Sequence, residues 1–441
     1  MDIFIVFALF ILCMAVSLAL DVTMIVPLAV GLVLFVLLGL RRGHSLPQVL
    51  RFALGSLKEG LIVIVILLII GMLTGMWRLS GTVAWFVHAG VRLVPPNLFL
   101  LAAFLLSAVM SFALGTSFGV SATAGVILIT IARAGGVNPL LAGGAILSGV
   151  YVGDRGSPAA SSANLVAVLT HTDMRYNVRA MLKTSLVPFF ITAAVFGILS
   201  PLYPMAGGGS SMQELLAREF SLHWSCLIPA VLMVVLPFAG LDVKLSMLTS
   251  LVSAAVVAAA VQGATFPELL KAAVLGYTAK DPALTESLSG GGIVSMLEVT
   301  VILIISCSYG GIFQKTGMLS GITDRLQGLA ERKGRFPVML LLGIVCSALF
   351  CNQTIACIMQ DQLAASMYGG SEEECRAKMM DMENSVILVA GLVPWCIACS
   401  VPRAMLDVGP AVIPLNTYLW LVPLWWLLRS KKRSNIKGSL A

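Results

Sequence analysis

The sequence predicts an all-α polytopic membrane protein, and two observations lead to that prediction. Of the 441 residues, 59% are hydrophobic and only 11% are charged, so the chain has too few polar side chains to cover a soluble globule. Apolar runs of bilayer length recur from Asp2 to Leu428. Backbone groups in hydrocarbon must be hydrogen-bonded within their own segment, which favours helices over open strands.

About ten of these apolar runs are predicted to be transmembrane helices. They lie at 2–20, 23–40, 61–78, 139–170, 180–202, 223–239, 242–262, 292–312, 380–402 and 411–428. The first run has no basic leader and no small-residue cleavage site after it, so we expect it to be retained as a helix.

Two further regions, 97–134 and 336–368, are each long enough for two helices but are interrupted at the centre by polar, turn-prone residues. The interruptions are Gly115-Thr116-Ser117 in the first region and Cys351-Asn352-Gln353-Thr354 in the second. We expect each region to form a re-entrant hairpin, which enters and leaves the membrane on one face.

The net charge of +7 is concentrated in short basic clusters between the apolar runs. Placing the clusters at 41–58, 171–183, 315–335 and 429–437 on the cytoplasmic side puts both termini in the cytoplasm. Topology therefore explains the charge better than nucleic-acid binding. We expect a multi-pass protein of the cell (plasma or inner) membrane, in contact with membrane lipid and without a nucleic-acid partner; the sequence leaves a homodimer open.

With this topology the two hairpins open on opposite faces, as an inverted-topology repeat requires. Gly75–Gly81 resembles Gly311–Gly317 at an offset of 236 residues, and Ser107–Met110 resembles Ser347–Phe350 at an offset of 240. The predicted division is 1–60 for N-terminal helices and a cytoplasmic loop, 61–205 for the first repeat, 206–290 for connecting helices, and 291–441 for the second repeat with a basic tail.

Two spans, 139–170 and 380–402, are predicted to be broken helices. The 240-residue offset places Gly153–Pro158 on Val393–Ala398, and both stretches contain residues that interrupt helices. Broken helices free backbone groups that only a protein-lined or watery cavity tolerates. We therefore expect the two hairpin tips and the two breaks to meet near the middle of the membrane.

Asp154, in the first break, is the leading candidate for an ion site. A charge at membrane depth is costly and is rarely kept without a use, although an ion pair with Arg155 is the alternative interpretation. Ser157 and Asn164, together with unwound carbonyls, would supply the oxygen ligands that sodium prefers. These three residues form the predicted sodium site.

The second half offers further polar candidates. They are Asn352, Gln353 and Thr354 at the tip, Asp361 on the following arm, Glu383 at the entry to the broken span, and Glu298 in the span 292–312. Each of the three carboxylates also has a structural interpretation. Asp361 could be solvated, and Glu383 could be a charge at a helix end. Glu298 could be an interfacial carboxylate if its helix begins later.

Two other patterns are predicted to be structural. Arg403 and Asp407 have i,i+4 spacing, which predicts an intrahelical ion pair. Cys396 and Cys399 form a lone CxxC without further ligands, so we expect small buried side chains rather than a metal site.

The sequence contains no Walker motif GxxxxGK[ST], so transport would draw on an ion gradient rather than on nucleotide hydrolysis. We expect a secondary transporter, not an enzyme, with no cofactor apart from sodium as the transported or coupling ion. A channel is the weaker alternative, because two half-broken repeats suit alternating access better than a continuous pore.

At these motifs the chain resembles the NhaC-type sodium/proton antiporter family, within the ion transporter superfamily. The resemblance is carried by Gly115–Gly119, Gly153–Pro158 with Asn164-Leu165, Tyr309–Gly317, Asp361-Gln362, Glu383 and Pro394-Trp395. It implies exchange of sodium for protons or, in some relatives, exchange of malate for lactate with coupled ions. It also implies a site at Thr116, Ser117, Asp154, Ser157, Asn164, Asp361 and Glu383.

The segment Ala160–Asn164 lacks an aspartate that the family pattern usually has there. That departure, with the hydroxyl and amide groups of the tips, keeps a second hypothesis open. In it, the chain is a sodium- or proton-coupled carrier or exchanger of a small organic anion or an amino acid.

Overall fold

The structure is a computed structural model that describes residues 3–20, 22–93, 95–205, 210–239, 241–281, 284–285, 288–316 and 323–438. Within these residues the regular structure is helical apart from one isolated antiparallel bridge, between Tyr277 and Gly290. This confirms the prediction of an all-helical fold for the described part of the chain. Gly317, the last residue of one repeated motif, lies outside the described residues.

We number the α-helices in chain order. Those before residue 205 are α1 Ile3–Ala19, α2 Ile25–Arg41, α3 Leu46–Gly55, α4 Leu57–Leu79, α5 Thr82–Leu93, α6 Phe99–Leu114, α7 Ser117–Val120, α8 Val126–Ala134, α9 Pro139–Gly156, α10 Ser161–Thr170 and α11 Met174–Leu202. Those after it are α12 Ser210–Glu219, α13 Ile228–Phe238, α14 Val243–Val261, α15 Phe266–Val274, α16 Leu297–Thr316, α17 Thr323–Lys333, α18 Arg335–Phe350, α19 Gln353–Leu363, α20 Glu372–Glu383, α21 Val386–Val389, α22 Ile397–Met405 and α23 Thr417–Gly438.

Five helical segments of the described chain are long and apolar enough to cross a bilayer. They are Pro96–Leu114, Ser117–Ala134, Met174–Leu202, Lys244–Val261 and Ile293–Phe313. A sixth is formed if Glu372–Leu392 and Ile397–Met405, which are bent by 51° at the second break, count as one span. Shorter apolar helices lie in other predicted spans, such as Ile25–Arg41 and Ile64–Leu79. The length and apolar composition of these segments are those of a membrane-embedded protein.

The first hairpin turns at Gly115. This residue has the left-handed conformation (φ 66°), and its N–H donates to Ser111 O at 2.8 Å, which closes the end of α6. Thr116 is extended, and its hydroxyl accepts a hydrogen bond from Gly119 N at 3.2 Å, which caps the start of α7. A π-helical turn at Ser121–Gly125 then joins α7 to α8.

The second hairpin turns in the same way at Cys351. The cysteine is also left-handed (φ 55°), and its N–H donates to Ser347 O at 3.1 Å. Asn352 is extended, and its Oδ1 accepts from Thr354 N at 2.9 Å and from Ile355 N at 3.3 Å, so it caps α19. The two tips therefore share one backbone design, with cysteine in place of glycine in the second.

The helical path is interrupted within both predicted broken spans. α9 ends at Gly156 and α10 begins at Ser161, and the intervening segment starts and ends with extended residues, Ser157 and Ala160. In the second half a 3₁₀ turn after α21 ends at Leu392 and α22 begins at Ile397, again with extended residues, Val393 and Cys396, at the two ends of the gap. Both breaks therefore leave four residues outside helices.

Close packing of α6 on α9 fixes the first hairpin against the first broken helix. Gly149 and Gly153 face the neighbouring backbone, and a Cβ at Gly153 would lie 1.9 Å from the carbonyl carbon of Ser111. Ser111 Oγ also donates to Val150 O across this interface. A second apolar cluster packs α1, α2 and α16 through edge-on rings such as Phe35 and Tyr309. The same cluster contains Phe350 and Cys351, so it also packs against the second hairpin tip.

Candidate functional site

The Asp154 carboxylate lies between the two hairpin tips. Its side chain is 6% exposed and is on the last turn of α9. Oδ1 faces Ser117 of the first tip, at 3.4 Å from the backbone N and 3.2 Å from Oγ, and Oδ2 faces Gln353 Nε2 of the second tip at 3.4 Å. The structure therefore brings together Asp154, Ser117 and Gln353, three of the residues predicted to form a site.

These contacts surround the carboxylate with donors without binding it tightly. Distances of 3.2–3.4 Å are at the long end of the range for hydrogen bonds. A carboxylate with loosely held donors can exchange them for a cation at a smaller cost than one that is closely hydrogen-bonded. The arrangement is chemically suited to binding a small cation or a proton.

The second tip also contacts the second broken span. Ile397 N donates to Cys351 O at 2.8 Å, and Trp395 Nε1 donates to Ala348 O at 2.8 Å. Gln353 Nε2, which faces Asp154, donates to Ile387 O at 2.8 Å as well. Gln353 thus connects the second tip with both the first break and the second broken span.

Other polar groups of the first break bind the unwound backbone. Ser162 Oγ donates to the backbone O of Asp154 at 2.5 Å, and Asn164 Nδ2 donates to the carbonyls of residues 158 and 160 at 3.0 and 2.8 Å. Ser157 Oγ accepts from Ala159 N at 3.2 Å. Among the residues predicted to bind sodium, Asp154 is the one that faces the tips, whereas Ser157 and Asn164 contact the break itself.

Three tip residues have more local positions. Thr116 and Asn352 are helix caps, as described above, and Thr354, the second residue of α19, is exposed. Their hydroxyl and amide oxygens at the tips are oriented by the turns rather than by Asp154.

Arg155 does not form the ion pair with Asp154 that was the alternative interpretation of this motif. The guanidinium is fully buried and is paired with no carboxylate of the described residues. It donates instead to Glu383 O at 3.2 Å and Asn384 Oδ1 at 2.7 Å. On α11 it donates to Met181 O at 3.2 Å and Thr184 Oγ1 at 3.0 Å. Arg155 therefore bridges α9, α11 and the end of α20, a role the sequence did not predict.

Glu383 is the second deeply buried carboxylate of the site region. It is the last residue of α20 and is 0% exposed, and neither carboxylate oxygen has a hydrogen-bond partner in the described part of the chain. Arg155 binds the backbone carbonyl of this residue and not its side chain. An ionised carboxylate without donors is expensive at such a position, so the side chain favours taking up a proton or a cation.

Asp361 and Glu298 have partners of their own. Asp361 Oδ1 lies 2.6 Å from Lys378 Nζ, in a partly exposed pair. Glu298 is exposed on the first turn of α16 and accepts from Thr23 Oγ1 at 2.7 Å, which corresponds to the interfacial interpretation of this residue. Neither carboxylate takes part in the contacts of the hairpin tips with Asp154 in the described part of the chain, and their functional roles stay predictions.

The predicted ion pair between Arg403 and Asp407 is wrong. α22 ends at Met405, and Asp407 is left-handed (φ 52°), so the two residues do not share a helical face. Asp407 pairs with Arg133 at 3.2 Å, and Arg403 Nη2 donates to Pro394 O at 3.3 Å. Cys396 and Cys399 are both buried, and no group of potential metal ligands is found among the described residues.

Known proteins resemble the chain over most of its length. The Na+/H+ antiporter family matches residues 149–428, which include Asp154, Gln353 and Glu383. The malate-2H(+)/Na(+)-lactate antiporter of Bacillus subtilis is 30% identical over 396 residues, covering 86% of this chain and 84% of that protein. The arginine/ornithine antiporter ArcD of Halobacterium salinarum is 27% identical over 362 residues, covering 80% and 75%.

The Na(+)/H(+) antiporter NhaC of Bacillus subtilis is 24% identical over 433 residues, 94% of each chain. This coverage takes in both hairpins and both breaks. The chain therefore belongs to the Na+/H+ antiporter family, which confirms the family predicted from its motifs.

Proposed function

We propose that the protein is a secondary transporter that exchanges sodium for protons by alternating access, with Asp154 as the carboxylate for which the two cations compete. The observation that supports this most directly is the position of Asp154 between Ser117 and Gln353, one residue from each hairpin tip. A carboxylate can hold a proton or a sodium ion but not both, so competition at one site yields exchange.

Glu383 is the proposed second proton site. Its carboxylate is buried and has no hydrogen-bond donor among the described residues, and its backbone carbonyl accepts from Arg155, the residue next to Asp154. For exchange, Glu383 would release its proton when sodium binds at Asp154 and take it up again when sodium leaves. The site then depends mainly on the first break, with the second half contributing Gln353 and Glu383.

We propose further that the transporter consists of two inverted repeats, at 61–205 and 291–441. An offset of 236 residues, rather than the 240 expected for the breaks from the sequence, places Gly115 on Cys351, Thr116 on Asn352 and the break 157–160 on the break 393–396. The paired positions have the same backbone conformations: left-handed then extended at the tips, and extended at both ends of the breaks. This supports an internal repeat more strongly than the low sequence identity does.

We propose that the protein lies in the plasma or inner membrane of the cell. In the proposed topology it has ten spans and two re-entrant hairpins, and both termini are in the cytoplasm. Lys183, Arg332 and Arg429 come from three of the predicted cytoplasmic clusters and line one cavity, which supports placing these clusters on one face.

The test uses the purified full-length protein in liposomes that contain a pH-sensitive dye. An inward sodium gradient should drive protons out of the vesicles and raise the internal pH, and Asp154→Asn should abolish the response. Glu214→Gln, at an exposed carboxylate of α12, is the matched control and should behave like the wild type. A folded wild-type protein with no sodium-dependent pH change in either direction would contradict the proposal.

A second candidate function is sodium- or proton-coupled exchange of a small organic solute. It is favoured by the 30% identical relative, the malate-2H(+)/Na(+)-lactate antiporter, and by the hydroxyl and amide groups at the tips. Thermal unfolding with malate, lactate and arginine, each with and without sodium, distinguishes the two. Stabilisation by one of these solutes only when sodium is present would favour the second candidate over exchange of cations alone.

A further inference from the structure

A basic cavity whose lining does not include Asp154, Ser117 or Gln353 lies between the start of α11, the junction of α17 with α18, α20 and the end of α23. Its volume is about 990 Å³. Six of the side chains that line it are cationic, and they are Lys183, Arg332, Lys333, Arg335, Arg376 and Arg429. Three are acidic, Glu331, Glu373 and Asp381, so the cationic side chains of the lining outnumber the acidic ones. Such a cavity is suited to an anion.

The positive charge of the cavity is only partly neutralised by its neighbours. Arg335 pairs with Glu374 and Arg376 pairs with Glu372. The remaining four, at 183, 332, 333 and 429, take part in no ion pair with the described residues. Asp381, at the wall, accepts hydrogen bonds from Tyr368 Oη at 2.6 Å and Trp426 Nε1 at 2.7 Å. Several donors are therefore available to a ligand.

The surface next to the cavity identifies the class of anion. α11 packs along α23, and both helices expose leucines beside the basic residues 183 and 429. Leu182 and Leu186 are 40% and 50% exposed, and Leu424 and Leu428 are 46% and 63% exposed. The i,i+4 spacing places each pair on one helix face, so an apolar surface suited to acyl chains adjoins a cationic cavity.

We propose that this cavity binds the phosphate of an anionic phospholipid whose acyl chains lie along the leucines of α11 and α23. Arginine and lysine bind phosphate oxygens through charge-assisted hydrogen bonds, and basic pockets between membrane helices bind anionic headgroups. Trp426, in the cavity wall, has the amphipathic character of residues at the membrane interface. The proposal does not depend on which ion is transported.

The test measures the unfolding temperature of the full-length protein in a neutral detergent during titration with dioctanoyl phosphatidylglycerol. The test variant is Arg332→Gln/Lys333→Gln/Arg429→Gln. The matched control, Arg41→Gln/Arg51→Gln/Lys271→Gln, removes three exposed charges that do not line this cavity. Each basic residue near an anionic headgroup contributes about fivefold in affinity, so we expect the test variant to bind about 100-fold more weakly and the control to resemble the wild type.

Two further ligands identify the source of the phosphate. Dioctanoyl phosphatidylcholine should stabilise the wild type much less, because its headgroup has no net charge, and inorganic phosphate at the same concentration should have little effect, because it lacks acyl chains. Equal stabilisation by inorganic phosphate would overturn the lipid proposal in favour of a soluble anion, and equal weakening in the control variant would overturn the site. If the triple variant does not fold, Lys333→Gln and Arg429→Gln are measured singly. Unchanged lipid affinity in both single variants would overturn the site.

Discussion

Asp154 and Glu383 are both buried carboxylates, but their surroundings differ. Asp154 has three donors from two hairpin tips, whereas Glu383 has no hydrogen-bond partner for its carboxylate among the described residues. Buried donors favour the ionised form of a carboxylate, and their absence favours the protonated form. The first residue is therefore suited to a metal cation and the second to a proton.

Asp154→Asn should abolish sodium-driven proton movement and leave the fold nearly intact. The amide oxygen can still accept from Ser117, so we expect the free energy of unfolding to change by less than about 2 kcal/mol. Proton flux in liposomes and thermal unfolding measure the two effects separately. Sodium-dependent flux that persists in the Asn variant would exclude Asp154 as the shared site.

Glu383→Met should stabilise the protein while it impairs exchange. Replacing a buried carboxyl without partners by an apolar side chain of similar length removes a desolvation cost, and we expect a gain of about 1–3 kcal/mol. Thermal unfolding in detergent measures the stability, and proton flux in liposomes measures the exchange. Glu383→Asp is the control, because it keeps a carboxyl group at this position. A lower unfolding temperature for the Met variant would show that the side chain has a stabilising partner.

At the scale of elements, the two hairpin tips have one backbone design but different side chains. Gly115 and Cys351 are both left-handed, and each is followed by an extended capping residue. A Cβ at Gly115 would lie 2.5 Å from the carbonyl carbon of Ala159, so this tip can approach the first break only as glycine. The second tip accommodates a side chain at the equivalent place.

Substitutions at these two positions should have unequal effects. Gly115→Ala introduces both backbone strain and a clash with the break, and we expect a loss of about 3 kcal/mol or more. Cys351→Gly relieves strain but removes a small buried side chain, so the change should be within about 1 kcal/mol. Thermal unfolding of the two variants tests this, and equal losses would mean that the tips are not constrained differently.

The sequence predicted the positions of both tips and both breaks because glycine, proline and short polar residues interrupt helices locally. Partners across the fold were harder to predict. Arg155 follows Asp154 directly, but adjacent residues of a helix do not face each other, so the two side chains diverge. Arg403 and Asp407 failed as a pair because the helix ends at Met405, a boundary that the spacing alone does not reveal.

At the scale of the whole molecule, Arg155 links the two halves. Its four hydrogen bonds reach Met181 and Thr184 in the first half and Glu383 and Asn384 in the second. The composition of the chain predicted a helical membrane protein, and its motifs predicted the family. The connection between halves depends on long-range contacts that leave no periodic signal in the sequence.

Arg155→Gln should destabilise the protein strongly, because several buried acceptors lose a charged donor together. We expect a loss of about 3 kcal/mol or more, and Arg155→Lys should not restore it, since one ammonium group lacks the planar fork that reaches all four acceptors. Arg51→Gln is the control, because its side chain is exposed on α3 and its removal should cost about 0.5 kcal/mol or less. Similar unfolding temperatures for both glutamine variants would contradict a bridging role for Arg155.

The backbone contact between α6 and α9 has a consequence for motion. Gly153 brings the two helices so close that even a methyl group would overlap the carbonyl carbon of Ser111, and an interface of this kind resists sliding. The first hairpin and the first broken helix should therefore shift as one rigid body. In the proposed transport cycle, we expect the displacement that opens Asp154 to one side or the other to fall on the contacts with the second half, which are those of Asp154 with Gln353 and of Arg155 with Glu383 and Asn384.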